Sequence, residues 1–227
     1  MTVLHLADEG EAADLAAFLS RLLHYDRGAA VRLQAAGTAL AVFGRPPSFE
    51  VLAVRAVRLA KPYENGLDVT LDVTVSAGEL LEAVDESAAT AAVPAAVTGP
   101  PWAGVLPPRG GWRPGPGLPS PDALRATVGA AVTEFRSRTE ELTADLRTRT
   151  ELDRIGREIW SRTVGDTGLP VRAVHAAQSL GFLRPSTRSE DVALLSLGTW
   201  LRLRTPYGSI AVRQRSGGLG TLDISVH

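Results

Sequence analysis

The residues best suited to binding a ligand are arginines close to the C-terminal end of the sequence. Residues 205–208 have the composition of a hairpin turn, and apolar and polar residues alternate on both sides of it. In that register one face of the hairpin carries basic and aromatic side chains with no acid among them: Trp200, Arg202, Arg204, Arg213 and Arg215. Like charges on one face disfavour a hairpin unless an anion compensates them. This face is therefore a candidate anion-binding or nucleic-acid-binding surface.

A predicted helix at residues 171–183 precedes this hairpin and adds two arginines, Arg172 within it and Arg184 directly after it. Two helices followed by a basic hairpin are typical of a winged helix–turn–helix, which predicts a DNA-binding regulator that uses helix 171–183 and hairpin 194–215. A simpler interpretation is an arginine-coated outer sheet face. Lys61 is the only lysine, which indicates a high-GC bacterial source in which arginine is the default basic residue.

The sequence lacks the motifs of common catalytic and cofactor sites. It has no cysteine, which excludes disulfides, thiolate metal ligands and cysteine nucleophiles. Phosphate-loop, dinucleotide, zinc-protease and nucleophile-elbow motifs do not occur. The four histidines have no ligand-like spacing, and Asp68 and Asp72 would lie about 13 Å apart on one strand, too far to act on one bond. We expect no catalytic residue, cofactor or metal, and an enzyme without a recognisable motif is the third alternative.

A long amphipathic segment occupies residues 120–164. Ser120 as a helix cap and Pro121 at the first helical position predict its start. One continuous helix of about 45 residues would be about 65 Å long, whereas a compact chain of this length is about 45 Å across. The helix must therefore project and find a partner or break, most simply at residues 148–151. If it projects, we expect self-association through its apolar stripe: Leu124, Val128, Phe135, Leu142 and Leu146.

Hydrophobic periodicity predicts an α+β fold in three parts. Residues 1–92 combine an N-terminal helix with a four-stranded antiparallel meander. Residues 93–119 are rich in proline and glycine yet contain Trp102 and Trp112, so we expect a strap docked on the folded surface rather than a flexible spacer. Residues 120–227 hold the long helix, a second helix and the C-terminal hairpin.

Composition favours an ordinary globular protein without a membrane span. Hydrophobic residues make up 44% of the chain and charged residues 22%, which argues against disorder. The formal net charge of −1 argues against a strongly basic nucleic-acid-binding protein as a whole. No secretory signal or membrane span is evident, so we expect a cytoplasmic protein. Our leading hypothesis is a non-enzymatic interaction or scaffold protein, forming a homodimer or binding another protein, that self-associates through helix 120–164.

Overall fold

The computed structural model describes residues 2–60 and 71–214, and these residues form the predicted α+β fold. Within them, no helix is long and apolar enough to cross a membrane. Two of the predicted residues, Asp68 and Arg215, lie outside the described residues. The described residues form five α-helices and eleven strands, in the order β1 (Val3–His5), α1 (Glu9–Tyr25), β2 (Ala30–Ala36), β3 (Ala39–Gly44), β4 (Leu52–Arg58), β5 (Asp72–Ser76), α2 (Ala77–Glu82), β6 (Val84–Asp85), β7 (Thr90–Ala92), β8 (Arg113–Pro114), α3 (Pro121–Glu140), α4 (Arg149–Trp160), α5 (Val171–Ser179), β9 (Ala193–Leu197), β10 (Trp200–Thr205) and β11 (Gly208–Arg213).

Eight of the strands form one antiparallel sheet in the order β5-β2-β3-β4-β11-β10-β9-β8. One half of this sheet comes from the N-terminal part of the chain and the other half from the C-terminal part. They join where β4 pairs with β11, with Val54 opposite Ser209. Each half repeats one plan, a helix followed by three consecutive strands: α1-β2-β3-β4 and α5-β9-β10-β11. Two helix-plus-meander units are thus joined through their last strands. The remaining strands form a small separate sheet, β1-β7-β6.

The helices cover one face of the large sheet and share a single hydrophobic core with it. Asp8 caps the start of α1, and its side chain accepts a hydrogen bond from the Glu11 N–H at 2.8 Å, as the pairing of Asp8 with Glu11 in the sequence predicts. The apolar face of α1 packs on β4, and α5 packs on β11. Phe18 of α1 stacks on Phe182, which follows α5, with 5.5 Å between the ring centroids. The core is therefore continuous across the two halves.

The C-terminal hairpin has the predicted register. Trp200 lies opposite Arg213, Arg202 opposite Ala211 and Arg204 opposite Ser209. The intervening apolar residues are buried and face the core: Leu201, Leu203, Ile210 and Val212. Alternation with period two therefore predicted both the pairing and the buried face.

The long helix is broken, so the alternative of a projecting helix is wrong. Helix α3 ends at Glu140, and α4 starts after Thr148, whose side chain accepts a hydrogen bond from the Glu151 N–H at 3.3 Å. Helix α4 then folds back along α3, and both helices bury apolar residues against their own chain. This break removes the length mismatch from which self-association was inferred.

The proline-rich strap lies across the outer face of the sheet. Near its start, the Val97 N–H donates to the Thr74 carbonyl of β5 at 2.9 Å, and the Arg32 guanidinium donates to the Ala103 carbonyl. Near its end, β8 pairs with β9. Because these anchors lie near opposite edges of the sheet, the strap spans the junction between the two halves.

Candidate binding cleft

The arginines of the hairpin do not form the open basic face expected of them. The Arg202 Nε donates to the Ser209 hydroxyl at 2.9 Å, and its guanidinium lies 5.7 Å from the centre of the Trp112 ring. Burial, and to a lesser extent the neighbouring Arg204, lowers the pKa of Arg202. Arg202 is therefore part of the packing between the strap and the sheet. Arg204 is exposed beside it, and Trp200 is half-buried.

Arg184 is also held within the protein. Its guanidinium forms an ion pair with Asp14 of α1 at 2.6 Å and lies 3.7 Å from the centre of the Tyr207 ring. These contacts join the two halves of the chain, since Asp14 belongs to the first half and Arg184 and Tyr207 to the second. Arg184 is a structural residue in this arrangement.

The predicted winged-helix arrangement is wrong for two geometric reasons. First, α5 packs into the core and only Gln178 of its residues is exposed, so the helix has no free face for a DNA groove. Second, the hairpin is not a projecting wing, because β11 pairs with β4 and β10 pairs with β9. Neither element can dock on DNA as that motif requires.

A cleft of about 1080 Å³ lies at the end of the sheet where β4 begins and β11 ends. Its walls come from both halves of the chain. The C-terminal end of α1 and the turn at residues 47–50 contribute from the first half, and α3, α4, α5 and the end of β11 contribute from the second. The antiparallel β4–β11 pairing brings these segments together, because it places the start of β4 beside the end of β11.

Five rings in contact with one another line this cleft, and we call them the aromatic floor: Tyr25, Phe49, Phe135, Trp160 and His175. Trp160 stacks on His175 with 4.8 Å between the ring centroids and an interplanar angle of 27°. Phe49 meets His175 edge to face at 5.0 Å. Tyr25 and Phe135 extend the row at its two ends. The aromatic floor therefore crosses from one half of the chain to the other.

Helix α4 positions the centre of the aromatic floor. Leu152, Gly156 and Trp160 follow one another at intervals of four residues and line the cleft from one helical face. Gly156 leaves room for two rings, since a Cβ atom there would lie 3.5 Å from Trp160 Cδ1 and 3.6 Å from Phe135 Cε2. The adjacent row of α4 holds the helix in the core through Ile155 and Ile159.

Four arginines and two acids surround the aromatic floor. Arg149 is only 3.8 Å from Asp153, and both side chains are exposed. We call the other three the rim arginines: Arg157, Arg172 and Arg213. Within residues 2–60 and 71–214, none of the three has a carboxylate partner, and the buried Arg172 Nε has no hydrogen-bond partner. The cleft thus carries excess positive charge that its own acids do not neutralise.

The described residues that line the cleft do not include a hydrogen-bonded nucleophile–base pair. His175 is packed between Trp160 and Phe49, and burial lowers its pKa, so it is neutral at neutral pH. The described residues give its ring no hydrogen-bonded hydroxyl or carboxylate, which a nucleophile–base pair requires. The described part of the chain also contains no group of three or more residues that could hold a metal ion.

The residues predicted to form the basic surface and the self-association stripe lie in several separate parts of the structure. Arg172 and Arg213 meet at the cleft, together with Phe135 from the predicted self-association stripe. Leu124 and Val128 of that stripe are buried within their own chain, and Leu142 is half-buried. Leu146 is 55% exposed in the loop between α3 and α4.

Several residues of the cleft escaped prediction from sequence. They are Tyr25, Phe49, Arg149, Arg157, Trp160 and His175. The spacing of Leu152, Gly156 and Trp160 was the one available signal, because it places them on a single helical face. The contributions from α1 and the turn before β4 had no sequence signal of this kind.

The chain matches two family models, each covering just under half of it. Residues 1–104 match a domain of unknown function (DUF8010), and residues 107–217 match a second domain of unknown function (DUF8185). No curated protein and no solved structure matches the chain. The boundary between the two matches falls within the strap, so each match contains one helix-plus-meander unit. The cleft is lined by residues of both matched regions.

Proposed function

We propose that this protein is a non-enzymatic interaction protein that binds a segment of a partner protein in the cleft between its two halves. The observation that supports this function is the combination of the aromatic floor and the rim arginines in one concave site. The rings that line the cleft supply contact area, and arginines without carboxylate partners supply directional hydrogen-bond donors. Concave sites with this composition are where proteins bind their ligands.

The structure supports a partner in the cleft better than it supports self-association through the helix stripe. Leu124 and Val128 are already buried in their own chain, so they cannot contribute to a dimer without unfolding. Leu146 is the one strongly exposed residue of that stripe. Light scattering at micromolar concentration tests the two arrangements, since self-association by way of Leu146 predicts a dimer mass that Leu146→Ser abolishes.

Comparing captured proteins between matched variants tests the cleft directly. The immobilised chain, an Arg157→Ala/Arg213→Ala variant and an Arg136→Ala control are exposed to an extract of the source organism. Arg136 is an exposed arginine on α3 that does not line the cleft. We expect at least one protein captured by the parent and by the control to be depleted about tenfold with the cleft variant, since one lost charged contact is worth about that factor. Identical profiles for all three would contradict the proposal.

A further inference from the structure

We infer that the partner segment is an acidic peptide that places carboxylates on the rim arginines and an apolar side chain on the aromatic floor. This inference rests on the function proposed above and names the chemistry of its partner.

The charge of the cleft favours an acidic partner. Four arginines and two acids line it, although the whole chain has a formal net charge of −1. The excess positive charge is therefore local. Guanidinium groups bind carboxylates through paired, charge-assisted hydrogen bonds, and complementary potentials give such contacts their specificity. An acidic segment would supply the partners that the described residues do not give to the rim arginines.

Among the described residues, Arg172 is the rim arginine with a buried polar atom that lacks a hydrogen-bond partner. Its Nε is buried and has no hydrogen-bond partner, whereas buried polar atoms in folded proteins are nearly always paired. Arg172 is in the first turn of α5, next to the aromatic floor, and lines the cleft. Because Nε itself is closed to solvent, a carboxylate of a partner would pair with the terminal guanidinium nitrogens of Arg172, without displacing a carboxylate of the protein.

The aromatic floor favours an apolar side chain over a nucleobase. Base stacking needs an open ring face. In the aromatic floor one face of Trp160 is already stacked on His175. The Phe49 ring meets the same histidine in an edge-to-face contact. Phe135 is tilted by 39° to Trp160 at 6.3 Å. Rings arranged in this way present mainly edges and partial faces, which pack well against a branched or aromatic side chain.

The size of the cleft and the charge of the whole chain agree with a peptide. The volume of about 1080 Å³ lies at the upper limit for small-molecule pockets, and it suffices for several side chains of an extended or helical segment. A net charge of −1 gives no long-range attraction for a polyanion such as duplex DNA. A short acidic segment needs only the local charge of the cleft.

Fluorescence anisotropy with defined peptides tests this inference. The probe is a fluorescein-labelled peptide of glutamate and leucine residues around a central phenylalanine. One analogue replaces every glutamate by glutamine, and a second replaces the leucines and the phenylalanine by alanine. An oligothymidylate of equal charge represents nucleic acid. We expect the acidic apolar peptide to bind at least about tenfold more tightly than each of the other three probes, the factor expected from one lost charged or buried apolar contact.

Two protein variants assign the binding to the cleft. Arg157→Ala/Arg213→Ala should weaken binding of the acidic peptide by about tenfold or more, and Arg136→Ala should leave it unchanged. Arg157 and Arg213 are exposed, so the double variant should fold, and its urea midpoint verifies this. Equal binding of the glutamine analogue, tighter binding of the oligothymidylate, or no peptide binding would overturn the inference. The proposed function would survive any of these results if protein capture still depended on the rim arginines.

Discussion

Two arginine clusters lie where the halves of the chain meet, and their surroundings are opposite. In the first, which we call the junction network, Arg55 of β4 contacts Glu11 at 2.8 Å and Arg184 contacts Asp14 at 2.6 Å. In the second, the rim arginines have no carboxylate partner among the described residues. The same residue type is therefore structural in one place and available for binding in the other. In a chain with many arginines, the role of each one is distinguished by its ion-pair partners and not by its residue type.

Burial explains why the junction network must be paired. The Arg55 side chain is 6% exposed and that of Glu11 is 11% exposed. Charges removed from water to this extent require compensating partners, and Arg55 also donates to the Tyr207 carbonyl at 2.7 Å. The rim arginines differ, since Arg157 and Arg213 are exposed and remain hydrated.

The largest effect is expected from removing the buried arginine of the junction network. Arg55→Ala should lower the free energy of unfolding by about 3 kcal/mol, because it leaves Glu11 buried with Arg58 as its remaining ion-pair partner. Urea unfolding measures this change as a shift in midpoint. The matched control is Arg58→Ala, which also removes a contact to Glu11 but from a side chain that is 71% exposed. An equal loss in both variants would contradict the role assigned to burial.

Acid titration separates the effect of pairing from that of burial, because α3 and α4 carry an ion-pair network that is paired but exposed. Arg138 lies 2.7 Å from Glu158 and, with help from Arg162, lowers the pKa of Glu158 to about 2 from its ordinary value of 4.5. The unfolded chain therefore binds this proton at a higher pH than the folded chain does. The contribution of Glu158 to stability is present above about pH 4.5 and is lost as the pH falls through about 2.

Glu158→Gln should remove this part of the pH dependence. The stability difference between the parent and the variant should be largest near neutral pH and should shrink as the pH falls from about 4.5 towards 2, as followed by urea midpoints. Salt should reduce the difference at neutral pH, since exposed pairs are screened. A difference that stays constant with pH would show that the loss comes from packing rather than from charge.

The sequence predicted the local structure of this protein well, because local signals determine it. Alternation of apolar and polar residues predicted the register of the β10–β11 hairpin, and Asp8 was recognised as the cap of α1. A break was predicted at residues 148–151, and α4 does begin there, with Thr148 as its cap. The continuous alternative for residues 120–164 failed because Leu142 and Leu146, which keep helical spacing in the sequence, lie in the loop between α3 and α4.

The cleft could not be predicted in the same way, because its walls are far apart in the chain. Tyr25, Phe49, Trp160 and Arg213 come together only through the pairing of β4 with β11. Arg213 was selected from the hairpin register and Arg172 from the helix before it, as parts of one basic surface, whereas the structure brings them together at the cleft. The ion pair of Arg184 with Asp14 was equally hidden, since 170 positions separate the two residues.

The smallest effect on stability is expected at the rim arginines themselves. Arg157→Ala/Arg213→Ala should change the free energy of unfolding by less than about 0.5 kcal/mol, the usual range of exposed substitutions, because the hydrogen bond lost from Arg157 Nε to the Asp153 carbonyl is an exposed one within α4. Neither guanidinium has a carboxylate partner within the described chain, and removing like charges from one cleft relieves repulsion. Urea midpoints of this variant and of Arg55→Ala, measured under the same conditions, compare the contributions of the two clusters to stability directly. A loss above about 1 kcal/mol would mean that the rim arginines hold the fold together, and the distinction between the two clusters would then fail.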